Sequence, residues 1–166
     1  MPQSDRLYGG GFNCSPECWS VFEEVLAAEF QDAVLFGRAH QTTVDAYAAQ
    51  HPGARHRDKS IAVHLVGLHL VLERGLAPPD VPRRLQRLSG AVEAWPHFAP
   101  PEDLGPLTVI DVATAGSRQD HVSRVRAWAE QVWSAWRPHH AAVAGLAELC
   151  FAGGSARRAG GGRAGS

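Results

Sequence analysis

The sequence predicts an all-α fold: a single-domain helical bundle with a Pro-rich irregular connection in the middle. Three observations carry this reading. Apolar residues recur at steps of three and four along several long windows, the spacing that lines up one face of an α-helix. Ser or Thr precedes an acid by three positions at Thr108/Asp111 and Ser117/Asp120, the pattern that satisfies free backbone N–H groups at a helix start. Seven of the eleven prolines crowd between Pro78 and Pro106, leaving a helical half on either side. A length of 166 residues, 45% of them hydrophobic and 20% charged, suits one domain with a sizeable core rather than two.

In chain order, residues 1–14 include Gly9-Gly10-Gly11 without apolar periodicity and read as a flexible N-terminal arm. The helical domain spans 15–150. Ser15 can cap the first helix, Pro16 suits its first turn, and Glu17 complements the dipole's positive end. Trp19, Phe22, Leu26 and Phe30 then mark its apolar face. A second helix is expected from Ala39 to Gln50, with Pro52-Gly53 ending it. The third, Ser60 to Arg74, is apolar almost all round and should be central, with Gly75 as its stop. A short helix is expected at Val81 to Leu88. Val109 to Val112 has the composition of a strand but no partner of comparable strength, and the Thr108 cap favours a helix there. Val122, Val125, Trp128, Val132 and Trp136 define a long helix, and Pro138 starts or kinks the closing one. Residues 151–166 collapse to Gly, Ala, Ser and Arg and read as a disordered tail.

Composition bounds function mainly by exclusion. The formal charge is −1, and Arg157, Arg158 and Arg163 in the tail leave the helical body more acidic still, so no nucleic-acid footprint is expected. The longest apolar stretch, Ile61 to Leu72, is interrupted by His64 and His69 and is too short for a bilayer, so no membrane partner is expected. The N-terminus lacks the basic start and apolar core of a secretory leader, which points to a cytoplasmic protein. Three cysteines then read as reduced thiols. With no Gly-rich phosphate loop and no dinucleotide fingerprint, no nucleotide cofactor is expected.

Nine histidines in 166 residues are the compositional lead, because imidazole titrates near neutrality and is the commonest metal ligand. At ~100° per residue, His40, Val44, Tyr47 and His51 fall on one stripe roughly 60° wide. Eleven residues at ~1.5 Å rise separate His40 from His51 by about 16 Å, so the two cannot share an ion. On the next helix Gly67, one turn from His64, lets a neighbour approach that imidazole, whereas His69 points nearly the opposite way. One arrangement sets His51 or His40 opposite His64, with a third ligand from His139 or His140; three imidazoles and water make an open site for zinc or another divalent metal. Cys18, in the first turn of the opening helix, is a further thiol ligand or an activated nucleophile. The metal-free arrangement makes His64 or His51 the general base, Tyr47 the acid and Asp45 an accompanying carboxylate, although Asp45 projects away from the His40/His51 stripe toward a neighbouring helix or Arg38. The plainer reading of each buried imidazole is a hydrogen bond that holds the bundle in register. Trp95, Trp128, Trp133 and Trp136 read either as core or as a Trp-rich face for a planar ligand, a homodimer partner or a partner enzyme.

The segments TVDAYAAQHPG at 43–53 and SIAVHLVGLHLVLERG at 60–75, with SPECW at 15–19, LTVIDV at 107–112 and VRAWAEQVWSAWRPHH at 125–140, resemble a bacterial family of unknown function. The resemblance covers nearly the whole helical region. It singles out Cys18, His40, Asp45, Tyr47, Gln50, His51, His64 and His139 as the polar residues of the shared motifs. Such relatives often begin with a Cys-Pro-Gly-Cys segment, a pair this N-terminus lacks; if the pair holds zinc in them, the resemblance implies that this member either has lost a structural ion or uses Cys14 and Cys18 instead. The expected function is a small-molecule enzyme, using a divalent metal or histidine acid–base chemistry, or else a non-catalytic binding or accessory module.

Overall fold

A computed structural model describes residues 12–53 and 57–152, and among them every regular element is helical. In chain order these are α1 (Pro16–Gln31), the single turn α2 (Ala33–Leu35), a π turn (Phe36–His40), α3 (Gln41–Gln50), α4 (Asp58–Leu72), a 3-10 turn (Pro78–Asp80), α5 (Val81–Ala91), α6 (Val109–Ala113), α7 (Arg118–Ala135), a second 3-10 turn (Arg137–His139) and α8 (His140–Glu148). The outer arm (1–11), residues 54–56, which include His56, and the tail from Gly153 lie outside the described residues.

The helix starts follow local chemistry. Ser15 Oγ accepts from the Cys18 N–H, and Pro16, which has no N–H to satisfy, occupies the first position of α1. Asp32 ends α1 and starts α2, its carboxylate accepting from the Val34 and Leu35 N–H groups. The Thr108/Asp111 pair forms a reciprocal capping box, so 109–112 is helix rather than strand. Ser117 caps α7 through the Asp120 N–H. Gly75 adopts φ 67° and ends α4, with the Leu76 N–H folded back onto the Leu70 carbonyl at 2.9 Å, a closure that suits a residue without Cβ.

The second helical stretch begins six residues earlier than the periodicity indicates, at Ala33, and passes through the π turn before α3. Helices α3 and α4 pack against each other along their length and form the centre, flanked by α1, α5, α7 and α8. Burial on nearly all sides is why neither shows a clean amphipathic stripe: in α3 every residue from Asp45 to Ala49 is buried. The α1 face is rotated relative to the expected one. Phe22, Val25 and Glu29 are buried, whereas Phe30 is 65% exposed. The chain turns at Asp32, which leaves Phe30 at the surface against the rings of Phe36 and His40 while Glu29 faces inward.

Trp128, Trp133 and Trp136 belong to the core, and Trp95 is half-buried under the Lys59 ammonium. The Trp-rich face offered for a dimer or a partner enzyme is therefore not exposed. The indole N–H groups of the three core tryptophans find acceptors at Gln50 Oε1, Glu73 Oε1 and the Ala49 carbonyl, which lets these amphipathic rings be buried without an orphaned donor.

Candidate functional site

Three polar centres inside the bundle gather most of the residues singled out by sequence, and α3 contributes to each.

The first lies where the start of α1 meets the end of α3. Tyr47 is fully buried, its ring stacked on Phe22 with centroids 3.8 Å apart and crossed edge-on by Phe12. Phe12 to Cys14, expected to belong to the flexible arm, thus pack down: the Asn13 N–H donates to the His51 carbonyl and its side-chain amide to the Pro52 carbonyl. His51 closes α3, and its Nδ1 lies 2.8 Å from the Tyr47 carbonyl. A carbonyl only accepts, so Nδ1 carries the proton and the neutral ring turns the Nε2 lone pair toward Cys18 Sγ, 3.4 Å away. The Tyr47 hydroxyl donates to the same sulfur at 3.5 Å. Burial lowers the His51 pKa against the weaker opposing effect of the Tyr47 carbonyl, which keeps the imidazole a base at neutral pH. Burial also raises the Tyr47 pKa, with Cys14 and Cys18 adding to the effect, so this phenol stays a donor. Cys14 beside it is raised by burial as well.

The second centre joins α3 to α4. Asp45 is completely buried, and its Oδ1 accepts from His64 Nδ1 at 2.8 Å while Gln41, one turn back, donates to both carboxylate oxygens at 3.0 and 3.1 Å. Burial raises the Asp45 pKa, opposed by the His64 and Gln41 hydrogen bonds. Gly67 makes this possible, because a Cβ there would stand 2.2 Å from Asp45 Oδ2. The glycine expected to open a path to His64 instead admits the carboxylate that holds His64. A buried acid on Nδ1 fixes the imidazole's orientation and leaves Nε2 as its basic nitrogen, the relation found in many catalytic and metal-binding histidines.

The third centre has no counterpart among the residues singled out by sequence motif except His40. Glu29 is fully buried on α1; its Oε1 accepts from Thr43 Oγ1 at 2.6 Å and His121 Nε2 at 2.9 Å, and its Oε2 from His40 Nδ1 at 3.0 Å. One carboxylate thereby ties α1, the π turn, α3 and α7 together. The available signal is that Glu29 continues the Phe22, Val25 series at steps of three and four. Sequence reasoning also misses Gln41, although it stands four residues before Asp45 on the same helix.

His139 and His140 do not join His51 and His64. His139 Nε2 donates to the Ala99 carbonyl; His140 Nε2 donates to the Trp133 carbonyl, its ring stacked on that indole at 3.8 Å. The 3-10 turn at Arg137–His139 commits both imidazoles to packing the closing helix. Among the described residues no group of three or more His, Cys, Asp or Glu side chains is placed to hold a metal ion. His40 is likewise committed to Glu29, and Gln50 bridges Trp128 and the Leu107 carbonyl. His69, buried on the far side of α4, has an Nε2 without a hydrogen-bond partner among the described residues, and burial lowers its pKa.

Fold and polar centres together define an all-α domain that sets a thiol–imidazole pair and an acid–imidazole pair on a shared central helix. The chain belongs to a family of unknown function, DUF5946, whose family model matches residues 4–137. No curated protein and no solved structure matches it. Among the described residues no helix is long and apolar enough to cross a membrane.

Proposed function

We propose that this protein is a small-molecule enzyme in which the Cys18 thiol is the reacting nucleophile and His51 its general base. The observation that carries the reading is the 3.4 Å approach of Cys18 Sγ to His51 Nε2, with the other ring nitrogen fixed by the Tyr47 carbonyl. A nucleophile beside a base that is itself oriented by a third group is the arrangement covalent catalysis requires. As Sγ adds to an electrophilic carbonyl carbon, the C=O π pair moves onto its oxygen and the thiol proton passes to His51 Nε2. The Tyr47 hydroxyl donates to the same sulfur, and Cys18 stands in the first turn of α1. His64 is the second acid–base group and Asp45 its positioning residue. No nucleotide enters this chemistry. The free thiols of Cys14, Cys18 and Cys150 suit the reducing cytoplasm.

The test is site-resolved alkylation of the full chain by iodoacetamide between pH 6 and 9, read by mass spectrometry, with Cys150 as the internal buried control. Cys18 should react at least about tenfold faster than Cys14 and Cys150 at pH 7, and His51→Gln should abolish the advantage. A Cys18 rate no faster than that of Cys14, or unchanged by His51→Gln, would overturn the proposal and leave the binding-module reading. The same pair favours one second reading, since thiolate and imidazole are both zinc-type ligands. Metal analysis of untagged protein decides it: stoichiometric metal lost in both Cys18→Ser and His51→Gln would make the pair ligands rather than nucleophile and base.

A further inference from the structure

Away from these polar centres, a cavity of about 210 Å³ opens between the π turn, the end of α4 and the middle of α7. It exists because α4 stops at Gly75, whose positive φ folds Leu76 back toward the helix instead of letting the chain fill the space. Val71, Leu72, Leu76 and Val125 give it an aliphatic wall, and its charged members are Arg38 and Arg126. Among the described residues no acidic side chain lines it. Arg126 has an exposed i,i+4 partner in Glu130 at 2.8 Å, a contact readily exchanged for a better anion. Arg38 has no acidic partner among the described residues. It stands in the middle of the π turn, whose flank is held by His40 on the buried Glu29 and by the stacking of His40 on Phe36. π turns inserted into helices are often associated with functional sites.

An aliphatic wall selects an apolar body, and two guanidinium groups without a lining acid select a negative head. We propose that this cavity binds a short-chain aliphatic carboxylate, with Arg38 as the anchoring cation and Arg126 as the second. A volume of about 210 Å³ equals roughly seven waters, which limits the body to a short acyl chain. A planar carboxylate matches the guanidinium fork, which makes Arg38 a specificity residue rather than a general counter-charge. This site shares no residue with the Cys18/His51 and Asp45/His64 pairs, so it stands or falls separately from the proposed chemistry.

The experiment is titration of the full chain by isothermal calorimetry with hexanoate, hexan-1-ol and inorganic phosphate, on wild type, Arg38→Gln and Arg126→Gln. Arg38 and Arg126 are exposed, so both variants should fold, and circular dichroism checks this. Saturable 1:1 hexanoate binding is expected, weakened about tenfold or more by Arg38→Gln, with hexan-1-ol and phosphate each much weaker than hexanoate on wild type. Three results would each overturn the proposal: no saturable hexanoate binding to wild type, hexanoate affinity unchanged in Arg38→Gln, or hexan-1-ol or phosphate binding as tightly as hexanoate.

Discussion

Replacing Gly67 by alanine tests whether the buried Asp45–His64 pair depends on the close approach of α3 to α4. The new methyl would stand 2.2 Å from Asp45 Oδ2, 2.6 Å from its Cγ and 2.9 Å from Oδ1. Ordinary contact requires about 3.4 Å or more, so the carboxylate must retreat by over an ångström or α3 must separate from α4. Asp45 has no easy retreat, because His64 holds it at 2.8 Å and Gln41 at 3.0 and 3.1 Å, in a site without exposure. Disrupting a buried, hydrogen-bonded charge costs about 3–5 kcal/mol. Alanine returns at most ~1 kcal/mol through its better helix propensity. The net loss is about 2–4 kcal/mol, which for a chain of this size lowers the melting temperature by roughly 5–15 °C. Thermal and urea unfolding followed by circular dichroism would measure it, with Gly145→Ala as control. Gly145 lies in α8 with nothing within 4 Å of the point an added Cβ would occupy, and alanine there should stabilise by about 0.5–1 kcal/mol. A Gly67→Ala melting temperature equal to or above wild type would refute the reasoning.

Three further outcomes are expected. Glu29→Gln keeps the shape but turns an amide N–H₂ toward one or more of the donors Thr43, His121 and His40, and should cost about 2–4 kcal/mol in urea unfolding; a loss below ~0.5 kcal/mol would show that this carboxylate does not tie the helices together. Trp133→Phe preserves an aromatic surface for His140 but removes the indole N–H to Glu73 at 2.8 Å, so unfolding should show a loss of about 0.5–1.5 kcal/mol, whereas Trp133→Ala should cost about 3–5 kcal/mol; equal losses in the two variants would remove the stacking from the account. The pKa values of His51 and His69 are both depressed by burial, so between their folded values and about 6.5 the unfolded chain binds more protons than the native one. Their contribution is complete above that pH and is lost as pH falls through the folded values; melting temperatures from pH 7.5 to 5.5 should therefore fall less steeply in His69→Gln than in wild type, and equal slopes would refute the His69 contribution.

Helix starts are legible in the sequence because capping is local: Ser15, Thr108 and Ser117 each satisfy N–H groups within three residues of themselves. The central position of α4 is legible from its unbroken apolar character. The π turn is not, because an extra residue in a helix leaves no compositional mark in Phe36–His40. The face of α1 is misplaced for a different reason. Phe30 satisfies the helical period as well as Glu29 does, and only the turn at Asp32 and the donors on three other elements decide which is buried. Helical arithmetic directs Asp45 away from the His40/His51 stripe, yet its partner His64 lies nineteen residues on, and no local rule chooses it over Arg38. Proximity of Cys18 to His51 spans thirty-three residues and depends on how α1 crosses the end of α3, which is tertiary information.

The π turn also couples two properties that would otherwise vary independently. A helix tolerates a one-residue insertion only by widening, and everything on the far side is rotated by about 100° relative to an uninterrupted helix. Deleting one residue between Phe36 and His40 would let α2 and α3 merge into a regular helix and carry Arg38 around with the upstream half. The helical defect and the Arg38 charge at the cavity wall are thus inherited as a unit: straightening the helix should leave an aliphatic hollow with Arg126 as its one remaining lining cation.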